Sequence, residues 1–372
     1  MKHLRRLIFP ALAILLAPAV ALSLDVVKLP EGTGAAGVAL APHRAGWVSA
    51  QFSGALGRVS PSGEVSIFPF ASRDTQPLSV AVQPDGTAWS ADLAGGRLGR
   101  VAPDGAFTEI STGRAGGEPT GLAVSPDGIA WFTRPAEGRV GHRGPDGTVG
   151  ELVLPEASEP TGIAVAPDGA AWVVERRGNR LVRISRDGEI TAWPLATPNA
   201  QPDALAVAPD GSVWAALPNA RRLARLSPGG TLEEFAVDEA PAGIAAAPDG
   251  GIWFAVPTAK KLGRFHPGTG KVVWTALPDG PVAVSVAADG TVWVVLGVGD
   301  RLVELVEVLD PQDGQAVRRR LALDLHEGGR ITHGAPPVRL ATIRWRPVAT
   351  TMPAWRRLAP PPGRACIPSG SP

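Results

Sequence analysis

Along most of the chain, an apolar run of five or six residues leads into a Pro-Asp-Gly turn, and a tryptophan then opens a second apolar run. The phrase is clearest at residues 160 to 175, PTGIAVAPDGAAWVVE. Runs this short, bounded by turn residues, read as two strands joined by a tight hairpin whose Gly is free to take positive φ. The tryptophans fall at Trp47, Trp89, Trp131, Trp172, Trp214, Trp253 and Trp293, at intervals of 42, 42, 41, 42, 39 and 40 residues. A fixed period of this size with strand content marks a radial repeat. The pattern therefore predicts an all-β, seven-bladed β-propeller of four-stranded antiparallel blades. Helical periodicity is missing from the repeats, which excludes a helical solenoid.

The repeat at 119–155 predicts one blade in full. Thr120 to Ser125 is a first strand, Ile129 to Arg134 a second, Arg139 to Arg143 a third and Thr148 to Leu154 a fourth, with turns at Pro126-Asp127-Gly128 and Pro145-Asp146-Gly147. The first strand is nearly all apolar, as a strand covered on both faces should be. The third and fourth alternate with polar residues, as outer strands should. Residues 24–31, LDVVKLPE, resemble the end of a repeat, so they are expected to pair beside the last strands and close the ring, removing open edges. The turn aspartates Asp85, Asp127, Asp168, Asp210, Asp249 and Asp289 superficially suggest calcium sites, but Asp before Gly forms turns by bonding nearby backbone N–H groups.

Composition adds an address and removes some functions. Lys2, Arg5 and Arg6 precede an apolar stretch from Leu7 to Leu22 that ends in small residues. Residues 1–23 are therefore expected to be a secretory signal peptide, leaving no membrane span after cleavage and placing the protein in the periplasm or outside the cell. The propeller is expected over 24–323, followed at 324–372 by a Pro/Arg-rich disordered tail. A net charge of +1 offers no case for nucleic acid. The single cysteine, Cys366, rules out an internal disulfide and a thiolate zinc cluster.

The pieces PTGLAVSPDGIAWFTR (119–134), PTGIAVAPDGAAWVVE (160–175) and PAGIAAAPDGGIWFAV (241–256), with the third-strand elements Arg97-Leu98-Gly99-Arg100 and Arg180-Leu181-Val182-Arg183, resemble the virginiamycin B lyase family, also called streptogramin B lyases, over roughly residues 25 to 310. The resemblance implies opening of a cyclic depsipeptide antibiotic by elimination, with a divalent metal, magnesium, as cofactor. It also implies catalytic histidines directly after the first-strand proline in the last two blades. Here that slot reads Ala36, Leu78, Thr120, Thr161, Asp203, Ala242 and Val282 through the seven repeats, with no histidine. Ala242 and Val282 cannot move a proton, so the family's chemistry is not expected of this chain.

Topology still predicts a mouth where the first strands begin. The residue three after each tryptophan, Ala50, Asp92, Arg134, Glu175, Leu217, Val256 and Leu296, is expected to face the same opening as the slot. Polar groups would then gather in blades two to five. Asp92, Thr120, Arg134 and Thr161 are the expected ligand contacts, with Glu175 and Asp203 as a carboxylate pair able to act as acid and base or hold a hard cation. The alternative is that Glu175 or Asp92 merely pairs with Arg134 or Arg176. The leading expectation is a monomer binding a small molecule or peptide at this mouth. The competing ones are a metal-dependent lyase or lactone hydrolase, and a cell-envelope interaction scaffold.

Overall fold

The computed structural model describes residues 23–42, 45–72, 74–113, 117–155, 158–297 and 301–306. The chain divides into two compact units, Met1–Arg320 and Leu321–Pro372. The expected signal peptide, up to residue 22, and the expected tail lie outside the described residues. Among those residues, no helix is long and apolar enough to cross a membrane.

The described chain is an all-β propeller of four-stranded antiparallel blades. Six blades, those of Trp47, Trp89, Trp131, Trp172, Trp214 and Trp253, are each built from four consecutive strands. The Trp293 repeat differs. It supplies Pro281–Val286, Val292–Leu296 and Arg301–Val306, and the fourth strand of that sheet is Ser23–Lys28 from the other end of the chain. The pairing is antiparallel, from Ser23 opposite Val306 to Lys28 opposite Arg301. The first strand of each blade packs on the first strand of the next, and Pro281–Val286 packs back on Ala35–Leu40. Trp293 belongs to the closing core with Leu29, Val38, Val48 and Val59. A side chain on Gly46 would strike its ring.

The blade at 119–155 follows its predicted outline with shorter first, second and fourth strands. It contains Leu122–Val124, Ala130–Arg134, Arg139–Arg143 and Val149–Val153, and the loop between the second and third strands holds a 3-10 turn, Pro135–Glu137. In all seven sheets the second strand is buried at every position, because both of its faces meet neighbouring blades. The fourth strands are mostly half-buried or exposed.

Each tryptophan pairs in register with a third-strand residue: Arg58, Arg100, His142, Arg183, Arg225, Arg264 and Glu304 in order. The guanidinium groups of Arg58, Arg100, Arg225 and Arg264 lie over the rings of Trp47, Trp89, Trp214 and Trp253 at 5.3 to 5.8 Å. Five of the turn aspartates accept from the backbone N–H two residues on, as Asp85 does from Thr87 and Asp168 from Ala170, whereas Asp127 accepts from Ser125 Oγ, which itself accepts from Ile129 N–H. Three of them have a second task. Asp168, Asp210 and Asp249 also accept from Arg183, Arg225 and Arg264 of their own blades. The result is an aspartate–arginine–tryptophan clip on the turn face of the ring.

The Trp131 blade departs from this arrangement. His142 takes the arginine's place, its ring 4.9 Å from that of Trp131. Asp127 is bonded instead by Arg186, which comes from the third-to-fourth-strand turn of the next blade. An ion pair inside one blade is thus replaced by one between two.

Candidate functional site

The mouth is assembled by an irregularity at the head of the first strands. In the Trp47, Trp89 and Trp293 blades the ladder slips by one residue, between Ala35 and Gly37, Pro77 and Ser79, and Pro281 and Ala283. The residue left over is the slot residue, Ala36, Leu78 or Val282. In the Trp172 blade the slip runs from Pro160 to Ile163 and releases Thr161. A bulge turns its extra residue out of the pleat. Ala36, Leu78, Thr120, Thr161, Asp203, Ala242 and Val282 are accordingly all half-buried, where most of their neighbours in the second strands are closed off.

The residue after the slot faces the adjoining blade at close range. A Cβ on Gly121 would meet the Thr161 carbonyl oxygen, and one on Gly162 would lie 2.7 Å from that of Asp203. Hydroxyls from the second strands stitch the same seam. Thr133 Oγ1 accepts from Gly121 N–H at 2.9 Å and donates to Thr161 O at 2.8 Å. Ser49 does the same between Gly37 N–H and Leu78 O, at 2.7 and 2.8 Å. Thr120 Oγ1 lies 3.1 Å from Thr133 Oγ1, and Thr161 Oγ1 donates to Pro202 O at 3.4 Å. Thr120, Thr161 and Asp203 therefore form a contiguous polar arc.

The second expected ring does not reach the opening. Ala50, Asp92, Arg134, Glu175, Leu217, Val256 and Leu296 are all at most 1% exposed. The bulge is the reason. Asp92 and Glu175 lie opposite Pro77 and Pro160, one residue before the slot, on unbulged strands whose pleat directs them into the seams between blades.

Their charges are settled locally, with partners other than those expected. Asp92 Oδ1 accepts from Gln76 N–H at 2.7 Å, and its Oδ2 lies 3.4 Å from Arg97 Nε. Arg134 donates to Thr112 Oγ1 at 2.8 Å and pairs with Glu151 at 2.7 Å. Glu175 is held by Arg180, while its Oε1 has no hydrogen-bond partner among the described residues. Burial pushes the Glu175 carboxyl above its usual range, against the opposing pull of Arg180. The Asp203 side chain, by contrast, is 41% exposed and is bonded by Arg176, which also reaches Glu159 at 3.4 Å. Glu175 and Asp203 thus answer to different arginines, one inside the seam and one at the rim.

On the opposite, turn face, a cleft of about 500 Å³ opens between the Trp214 and Trp253 blades, lined by Asp210, Arg225, Asp249, His266 and Thr269. Its two carboxylates are already used by Arg225 and Arg264. Burial raises Asp210 and Asp249, but hydrogen bonds from Ser212 and Gly251 and the facing arginines bring both below the usual carboxylate range.

The model of the virginiamycin B lyase family matches residues 23–300. The chain belongs to the virginiamycin B lyase family. No curated protein matches it. Among solved structures it is similar to a streptogramin B lyase, at 24% identity and a TM-score of 0.73 over 77% of this chain and 97% of that one. It is similar also to virginiamycin B lyase from Staphylococcus aureus, at 23% identity and a TM-score of 0.72 over 77% and 99%. A catalytically inactive variant of the S. aureus enzyme, solved with quinupristin, matches at 22% identity and the same TM-score over the same shares.

Within this family member, the slots where the sequence resemblance places histidines hold Ala242 and Val282. Of the described histidines, His142 packs on Trp131 and His266 lines the turn-face cleft. The magnesium that the resemblance implies finds no fitting donor set here. No three His, Cys, Asp or Glu side chains gather to hold an ion among the described residues, and the two candidate carboxylates are bonded to Arg180 and Arg176.

Proposed function

We propose that this chain is an exported, seven-bladed member of the family, with the two-ended sheet as its seventh blade, and that it binds a small amphipathic molecule or peptide at the mouth without opening streptogramin rings. The single observation that carries the reading is the half-exposed slot ring, with Thr120, Thr161 and Asp203 on one arc and Ala242, Val282, Ala36 and Leu78 on the other. An opening lined by apolar side chains with a few fixed polar groups suits such a ligand. A lyase or lactone hydrolase built on Glu175 and Asp203 would need the two carboxylates to act on one substrate, and their separate arginines argue against it. The scaffold alternative has thin support, since the apolar side chains exposed on the outer strands are scattered: Ile67, Ile190 and Val273 stand on separate blades, and only Val149 and Val153 share one.

The test is calorimetric titration of the purified protein with quinupristin and a lactone panel, with and without magnesium, with the products followed by mass spectrometry. Binding with no ring opening and no magnesium dependence is expected. Turnover of either substrate would overturn the proposal.

A further inference from the structure

The mouth-face loop between the second and third strands of the Trp47 blade carries Phe52, which is 79% exposed. The corresponding position in the other repeats is Ala94, Ala136, Arg177, Asn219, Thr258 and Val298, none of them aromatic. The phenyl does not sit on a loose tip. Gln51 N–H donates to Gly34 O at 3.0 Å and Phe52 N–H to Thr33 O at 3.2 Å, so the loop is laced to the segment that leads into Ala35–Leu40 and its slot residue Ala36. Thr33 is buried and donates in turn to Pro30 O at 2.5 Å. Gly34 is in the left-handed region at φ 57, and a Cβ there would run into the Phe52 ring. Only glycine allows the ring to lie where it does.

A phenyl left in water forgoes about 1.5–3 kcal/mol of burial. Here its loop is laced to buried Thr33 and to Gly34, in the segment that leads into the slot residue Ala36 at the apolar end of the ring. A fixed aromatic surface loses little conformational entropy when a ligand covers it. From this we infer that Phe52 is the aromatic contact of the mouth and selects ligands carrying a flat apolar group, with their polar end toward Thr120, Thr161 and Asp203. The inference rests on the mouth being the ligand site.

The test uses two probes, anilinonaphthalene sulfonate and quinupristin, on the full chain and on three variants of matching thermal stability: Phe52→Ala, Phe52→Trp and a Thr120→Val/Thr161→Val double variant. Phe52→Ala is expected to weaken both probes by about tenfold, as an aromatic anchor should, while Phe52→Trp retains them. If the threonine variant weakens quinupristin and Phe52→Ala changes nothing, the inference falls and the mouth remains the site. If Phe52→Ala weakens the probes and the threonine variant does not, Phe52 stands as the aromatic contact and the placing of the ligand's polar end at Thr120 and Thr161 is overturned. Failure of the parent protein to bind either probe would overturn both.

Discussion

His142 stands where five other blades place an arginine against the tryptophan, and burial lowers its pKa below the ordinary 6.5. The unfolded chain then takes up a proton at a higher pH than the folded one. The stability that neutral His142 contributes is complete above about pH 6.5 and is lost as pH falls through that value toward the folded pKa. Thermal melts from pH 8 to 5 should show an acid-side loss that shrinks in His142→Arg, which restores the clip beside Asp127. Equal slopes in both proteins would refute this account. The same substitution tests the cross-blade bond. If Asp127 turns to its own blade in His142→Arg, then Arg186→Ala, which removes an exposed ion pair worth at most about 1 kcal/mol in the parent, should cost less in the variant.

At the scale of the element, the sensitive feature is the bulged head of the first strand. It releases the slot residue to the mouth, and it brings the next residue against the adjoining blade. Gly121→Ala is expected to cost about 1–3 kcal/mol, because the added methyl meets a backbone oxygen that cannot step aside. Thr133→Val removes the hydroxyl that serves both Gly121 N–H and Thr161 O, and leaving such groups unpaired costs about 1–3 kcal/mol. Urea midpoints of the two variants check both values; a midpoint within error of the parent would rule out the seam as a stabilising contact. The bulge also explains why matching the slot to the residue three after the tryptophan placed Asp92, Arg134 and Glu175 at the mouth, where the structure buries them. That match assumes an unbroken ladder, and one extra residue separates the slot from the residue three after the tryptophan. The pairing of Arg176 with Asp203 and the lacing of Phe52 to Thr33 were not legible for a related reason, since the partners are far apart in the chain.

For the whole molecule, closure depends on Ser23–Lys28 crossing to the Trp293 sheet. Deleting these residues should expose Arg301–Val306 as an open edge, and such edges recruit other chains. Size-exclusion chromatography of the deletion is expected to show association and a large loss of melting temperature. A monomer that melts at the parent temperature would mean that the strand is dispensable.

The repeat of apolar run, Pro-Asp-Gly turn and tryptophan was sufficient by itself to determine the blade, its strands and the closing role of LDVVKLPE, because each is set by neighbours within a few residues or by a period that any blade must share. The absence of histidine from the slot was equally visible in the chain. The partners of the charges were decided only when blades packed: Glu175 went to Arg180 in a seam, Asp203 to Arg176 at the rim, and Asp127 to Arg186 of the next blade. Ion pairs depend on distance and burial, and in a ring of nearly identical units those are set by small departures from the repeat, a bulge or a single exchanged residue, that the period itself does not record.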